Sequence, residues 1–154
     1  MPKAVILPAG RPASCEPITA TRDLGDCLVA NQRFADMQRL EVERAGFTVV
    51  PKAELDPDTC VINGHAFVTA EDLLAMLKAD ELQLDDIHGR TLCYRQPQSA
   101  CCGITAMTAS KDSIAVKYAW DLLEVNRVIL SRVTESAFLG HVHPRTEVDG
   151  VLLV

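Results

Sequence analysis

A few short stretches carry residues whose types and spacing could do chemistry. Leu7-Pro8-Ala9-Gly10-Arg11-Pro12 closes a β-branched, apolar run that begins at Lys3. A glycine-bearing loop at the carboxyl end of the first strand of an α/β sheet is where such folds bind phosphate, because backbone N–H groups gather there. His141-Val142-His143 would place two imidazoles on one face of a strand, as a metal pair needs. No carboxylate or cysteine trio completes that pair and Pro144 follows it, so a solvent-facing linker is the better reading. Asp80-Glu81 and Asp85-Asp86 read as a solvated acidic loop, not as paired catalytic carboxylates. Ser, His and Asp are all present, but without a G-x-S-x-G elbow a hydrolase triad has no support. The six cysteines (15, 27, 60, 93, 101 and 102) include no Cys-x-x-Cys spacing. They read as free, mostly buried thiols of a reducing compartment, and not as a disulfide scaffold or a zinc site.

The elements that must position these residues follow from periodicity. Lys3 to Leu7 predicts a buried first strand, and the loop from Pro8 to about Gly25 holds three prolines and two glycines. Asp26 is expected to cap a helix from about residue 27 to Ala45, with Leu28, Phe34, Met37 and Leu40 on its inner side and Gly46 as its stop. Phe47 to Val50 predicts a second strand, Asp56-Pro57-Asp58 a turn, and Thr59 to Ile62 a third strand ending in Asn63-Gly64-His65. Thr69-Ala70-Glu71-Asp72 has the capping-box pattern and opens a helix through Leu73, Leu74 and Leu77. Thr91 to Tyr94 and Cys101 to Thr108 predict two strands about a turn at Pro97-Gln98-Ser99. A last helix is expected from about Ala119 to Val133, with Leu122, Val125 and Ile129 inward. Strands alternating with helices predict an α/β, three-layer, Rossmann-like unit with a mostly parallel sheet.

Composition bounds the function. The chain has 154 residues, 48% of them hydrophobic and 23% charged, enough for one core-bearing domain. With 15 Lys plus Arg against 21 Asp plus Glu, the net charge is -6, which argues against nucleic acid as a partner. No apolar run approaches the roughly 20 residues of a membrane span, and the start is too short for a signal-peptide core. A cytoplasmic protein without membrane contact is the expectation.

From Leu7 the sequence runs through Ala9-Gly10, Pro17, Thr19 and Val29-Ala30-Asn31. That succession resembles the signature of the sugar-phosphate nucleotidyltransferases, including N-acetylglucosamine-1-phosphate uridyltransferases: L-A-A-G-x-G-T-R, then P-L-T, then P-K-P-L-L-P-V-A-N. The matches keep register without a gap. Val61-Ile62-Asn63-Gly64-His65 resembles the family's N-G-D strand end, and Lys117-Tyr118-Ala119-Trp120-Asp121-Leu122 its late K-x-x-W-D-L segment. The resemblance implies nucleotide contact from Leu7, Ala9, Gly10 and Arg11. It also implies Mg²⁺ ligands at the places of His65 and Asp121, and a sugar-phosphate contact from Lys117.

The departures cluster at the chemistry. The family's second loop glycine is Pro12, its triphosphate arginine is Ser14, its phosphate lysine is Leu24, and its first metal aspartate is His65. Proline removes a donor where backbone should wrap phosphate, and imidazole is a poor ligand for Mg²⁺. His65 also reads as a strand-end histidine satisfied by a backbone carbonyl, Asp121 as a charge on the first turn of the last helix, and Trp120 as a core anchor. Only 55 residues, 66 through 120, separate His65 from Asp121, too few for the family's sugar-binding insertion.

The expectation is therefore a degenerate pyrophosphorylase-like domain over residues 1–135, without nucleotidyl transfer, serving as a ligand-binding, regulatory or scaffold module for a nucleotide or sugar nucleotide. The alternative is a divergent active enzyme, with Mg²⁺, that uses Arg11, Arg22, Lys117 and Asp121. Over residues 136–154, Val142, Val148 and Val154 recur at six-residue spacing, as do Pro144 and Gly150. That period suits a linker and the first coil of a hexapeptide-repeat left-handed β-helix, which implies a trimer in the full-length protein.

Overall fold

Short apolar runs with few polar interruptions form strands buried on both faces. A computed structural model describes residues 1–54, 56, 58–95 and 105–132. In chain order its elements are β1 (Lys3–Ile6), β2 (Leu28–Val29), β3 (Gln32–Arg33), α1 (Phe34–Arg44), β4 (Thr48–Val49), β5 (Cys60–Ile62) and β6 (Ala66–Phe67). There follow α2 (Ala70–Ala79), β7 (Gln83–Asp85), β8 (Thr91–Arg95), β9 (Ala106–Thr108), β10 (Ile114–Ala115) and α3 (Asp121–Ser131).

The chain is a mixed α/β protein whose six-stranded central sheet has the order β4-β1-β5-β8-β7-β9. β1 pairs in parallel with β4 and β5, and β7 in parallel with β9. β8 pairs antiparallel with both β5 and β7, so it alone runs against the other five. The carboxyl ends of β1, β5, β7 and β9 therefore share one edge, the edge where open α/β sheets place their ligands.

Two apolar clusters hold this frame. Ala4, Cys60 and Ile62 of the sheet pack with Val42 and Ala45 beside α1 and with Leu73 and Met76 of α2. Phe34 and Met37 of α1 pack with Leu122, Val125, Val128 and Ile129 of α3 and with Leu24, Cys27 and Val29 of the long loop region. Thr69 caps α2, its Oγ1 accepting from the Asp72 N–H at 3.3 Å. The Asp72 carboxylate does not return to Thr69 N as a full capping box requires. It accepts instead from Ser110 Oγ at 2.7 Å and Ser113 Oγ at 2.6 Å, pinning the β9–β10 connection to the helix.

Several expectations need correcting. The first helix does not begin at residue 27. A β2–β3 hairpin intervenes, because Ala30 and Asn31 both adopt positive φ (49° and 63°), the conformation of a tight hairpin turn. Asp26 is consequently no helix cap, and Leu28 is 63% exposed on the hairpin. Residues 80–90 are not a solvated acidic loop: they contain β7, and Asp86 is only 2% exposed. Trp120 is not a core anchor, being 62% exposed and stacked on Tyr118 at 4.6 Å. Gly46 stops α1 as expected, with φ +83°. Cys15, Cys27, Cys60 and Cys93 are free and buried. Cys101 and Cys102, the turn at 97–99, and everything expected of residues 136–154, including His141 and His143, lie outside the described residues. Among the described residues no helix is long and apolar enough to cross a membrane.

Candidate functional site

The three segments that carry the resemblance meet at the carboxyl edge of β1 and β5. Leu7 N–H donates to the Ile62 carbonyl at 3.0 Å, which carries the sheet pairing one residue past β1. Beyond it the chain turns at Gly10, whose φ of +68° suits a residue without Cβ, and the Gly10 carbonyl accepts from Leu24 N–H at 2.8 Å.

Gly64 packs directly under this loop. A Cβ there would lie 2.4 Å from the Leu7 oxygen and 2.6 Å from Ala9 N and Pro8 C, all backbone atoms that cannot rotate away. Asn63 Oδ1 accepts from His65 N–H at 3.0 Å, which turns the chain so that His65 Nε2 reaches the Ala9 carbonyl. A carbonyl only accepts, so that nitrogen carries the proton. His65 is thus tied to Ala9 within the loop whose Leu7 bonds Ile62 and whose Gly10 bonds Leu24. Val116 N–H donates to the His65 carbonyl at 2.8 Å, bringing the K-x-x-W-D-L segment alongside.

Asp121 lies at the start of α3. Its Oδ2 accepts from Lys117 N–H at 2.7 Å and Tyr118 N–H at 2.9 Å, and Arg90 Nη1 stands 3.8 Å away. The Lys117 ammonium sits 5.1 Å over the Tyr118 ring. Arg11 and Arg22 are exposed; Arg22 lines a separate groove of about 510 Å³ between the hairpin and α3. Leu24, at the place of the phosphate lysine, is fully buried in the second cluster. Among the described residues no group of three or more His, Cys, Asp or Glu is arranged to hold a metal ion. Burial raises the Cys15 and Cys27 thiols beside this loop above the usual cysteine range, which keeps them protonated and unreactive.

No protein-family model matches this chain, and no curated protein does. The chemistry of the edge must therefore be read from its own side chains.

A second cleft on the same edge takes only Asp121 from the sequence motifs. It encloses about 230 Å³ between the 86–90 turn, the segment after β9 and the first turns of α3. Asp86 organises it. Oδ1 accepts from the N–H groups of His88 and Arg90, each at 2.9 Å, and Oδ2 accepts from Arg90 Nε at 2.6 Å. Burial on its own would raise the Asp86 carboxyl, but the hydrogen bonds from Arg90 and His88 outweigh it and hold the group below the usual aspartate range. The available signal was the D-x-x-G-R turn ahead of a strand, with Gly89 at φ +74°.

Proposed function

We propose that this chain contains a degenerate, shortened sugar-nucleotide pyrophosphorylase-like domain that does not transfer nucleotides and serves as a ligand-binding, regulatory or scaffold module. One observation carries the reading: the residues standing at the resemblance's metal positions are both engaged with the chain's own backbone. His65 donates to the Ala9 carbonyl, and Asp121 accepts from two backbone N–H groups. A hard cation needs several oxygen ligands turned to it, so this pair does not fit a Mg²⁺ site. The burial of Leu24 agrees, since a phosphate contact would require an outward side chain there. Losing even one group aimed at developing charge commonly costs a factor on the order of 10²–10³ in rate.

The test is pyrophosphate release from UTP and N-acetylglucosamine 1-phosphate with Mg²⁺. The expected result is no turnover, and even about 1 s⁻¹, within the ordinary enzyme range, overturns the reading. The second reading, a divergent transferase, draws on the exposure of Arg11 and Arg22 beside the loop after β1. It predicts that such turnover exists and falls in Arg11→Ala and Arg22→Ala. A thermal-shift panel with UTP, UDP-N-acetylglucosamine, GTP and dTTP separates a binding module from a scaffold, because only a binder gains stability with ligand. The cytoplasmic setting, and the trimer that a hexapeptide-repeat β-helix would bring, belong to the same proposal; light scattering on the protein in solution tests the trimer.

A further inference from the structure

We propose that the cleft between the 86–90 turn and α3 binds a small phosphate monoester. The cleft lies on the ligand-bearing edge of the sheet, where β7 leads into Asp86 and β9 into Lys111. Six charged side chains line it, and their sum is neutral. Their availability differs.

Every carboxylate facing the cleft is engaged within the chain. Asp86 holds two backbone N–H groups and Arg90 Nε, Asp121 holds the Lys117 and Tyr118 N–H groups, and Glu124 accepts from Arg127 Nε at 2.9 Å. The cations keep spare donors. Arg90 bonds Asp86 through Nε, so its Nη groups remain, the nearer at 3.8 Å from Asp121. Arg127 likewise bonds Glu124 through Nε, with Nη2 at 4.0 Å from Asp112. The exposed Lys111 ammonium has no ion pair or hydrogen bond among the described residues. The cleft is lined by two arginines whose Nη groups are not hydrogen-bonded among the described residues and by Lys111, a donor set that suits the three oxygens of a dianionic phosphate better than a singly charged carboxylate. Ile87 and Ile114 supply apolar wall for a short carbon skeleton. A volume of about 230 Å³ is below the usual range for drug-sized ligands, which selects a small phosphorylated molecule over a sugar nucleotide.

The turn is built before any ligand arrives, because Asp86 fixes Arg90 from backbone and side chain at once. The cleft shares Asp121 with the proposed function but takes nothing from the loop after β1 or from His65, so phosphate binding there and nucleotidyl transfer are read by separate groups.

The experiment is amide-resolved NMR titration of the full chain with inorganic phosphate and with glucose 6-phosphate, using glucose and glucuronate as neutral and carboxylate controls. Saturable shifts are expected at His88, Gly89, Arg90 and Ser113 with both phosphates and with neither control. Lys111→Ala and Arg127→Ala, both at exposed positions, should each weaken binding roughly tenfold, the scale of one charged hydrogen bond. Arg11→Ala combined with Arg22→Ala should leave it unchanged. The proposal is overturned by failure to saturate at about 10 mM phosphate, far weaker than metabolite-range affinity. Equal binding of glucuronate overturns it too, as does indifference to both cation variants or shifts centred on Ala9 to Arg11. Pyrophosphate release is read separately, so that failure of the cleft and failure of the proposed function are distinguishable.

Discussion

The two halves of the sheet's carboxyl edge contrast in how they use polar groups. At the β1–β5 half, where the sequence resembles a phosphate site, the imidazole, the loop carbonyls and the strand-end turn satisfy one another. At the β7–β9 half, where Asp121 is the one residue of the resemblance in the lining, cations keep donors to spare beside a built turn. A motif records where chemistry is placed in similar sequences, whereas unsatisfied donors record where a ligand still gains something by binding. In this chain the two have separated.

The variant expected to have the largest effect attacks the first half directly. Leu24→Lys restores the residue that the resemblance asks for, but Leu24 is fully buried among apolar side chains. An unpaired ammonium there should cost about 4 kcal/mol or more, a large share of the usual 5–15 kcal/mol of domain stability. A stable, well-folded Leu24→Lys protein in urea titration would show that the loop can reopen toward a phosphate-binding form, and the contrast would fail. Gly64→Ala comes next. Its Cβ would press on three backbone atoms of the loop after β1 at 2.6 Å or less, for an expected loss of about 3 kcal/mol. An unchanged urea midpoint would mean that the loop and the β5 end are not locked together.

How much of this was legible in the sequence follows from the range of the forces involved. β1, α2, α3 and the Gly46 stop were readable because local periodicity and capping decide them. The β2–β3 hairpin was not, since Ala30 and Asn31 carry no glycine to announce positive φ. Their turn is held by a distant partner, Asn126, whose Oδ1 accepts from Ala30 N–H at 2.8 Å. Asp86 was misread for a related reason. Acidic residues in a polar run look solvated until Arg90 folds back across a four-residue turn. The family-like positions were legible as a pattern, and the structure does bring Leu7, Ala9, Gly10 and His65 together. What the pattern could not convey was that His65 turns to a carbonyl and Leu24 to the core, because both depend on packing between segments far apart in sequence.

Asp86→Asn probes the second half at intermediate cost. The amide keeps an acceptor for the turn but leaves Arg90 only the more distant Asp121 carboxylate as counter-charge, and since Arg90 is 30% exposed, solvent screens part of the loss. About 2–3 kcal/mol is expected, together with weaker phosphate binding, because Arg90 would no longer be fixed. The acid limb checks the same contact. Asp86 titrates lower in the fold than in the open chain, so its stabilising contribution is complete above the open-chain value of about 3.9 and is lost as pH falls through the lower folded value. The wild-type protein should therefore lose stability below about pH 4 more steeply than Asp86→Asn, in which that proton uptake is absent. Parallel acid limbs would place the burden of acid unfolding elsewhere.

The smallest effect is expected at His65, and it bears most directly on the contrast. Removing the ring in His65→Ala deletes one hydrogen bond to the Ala9 carbonyl at a partly exposed position, which should cost about 1 kcal/mol. His65→Gln, whose amide can still donate to that carbonyl, should recover much of the loss. If the imidazole serves only to tie the loop after β1 to the end of β5, both variants leave the phosphate titration at His88 and Arg90 unchanged, since the cleft takes no group from His65. If instead His65→Ala creates new phosphate-dependent shifts at Ala9 and Gly10, the histidine is what keeps the first half closed. The two halves of the edge would then differ by a single side chain.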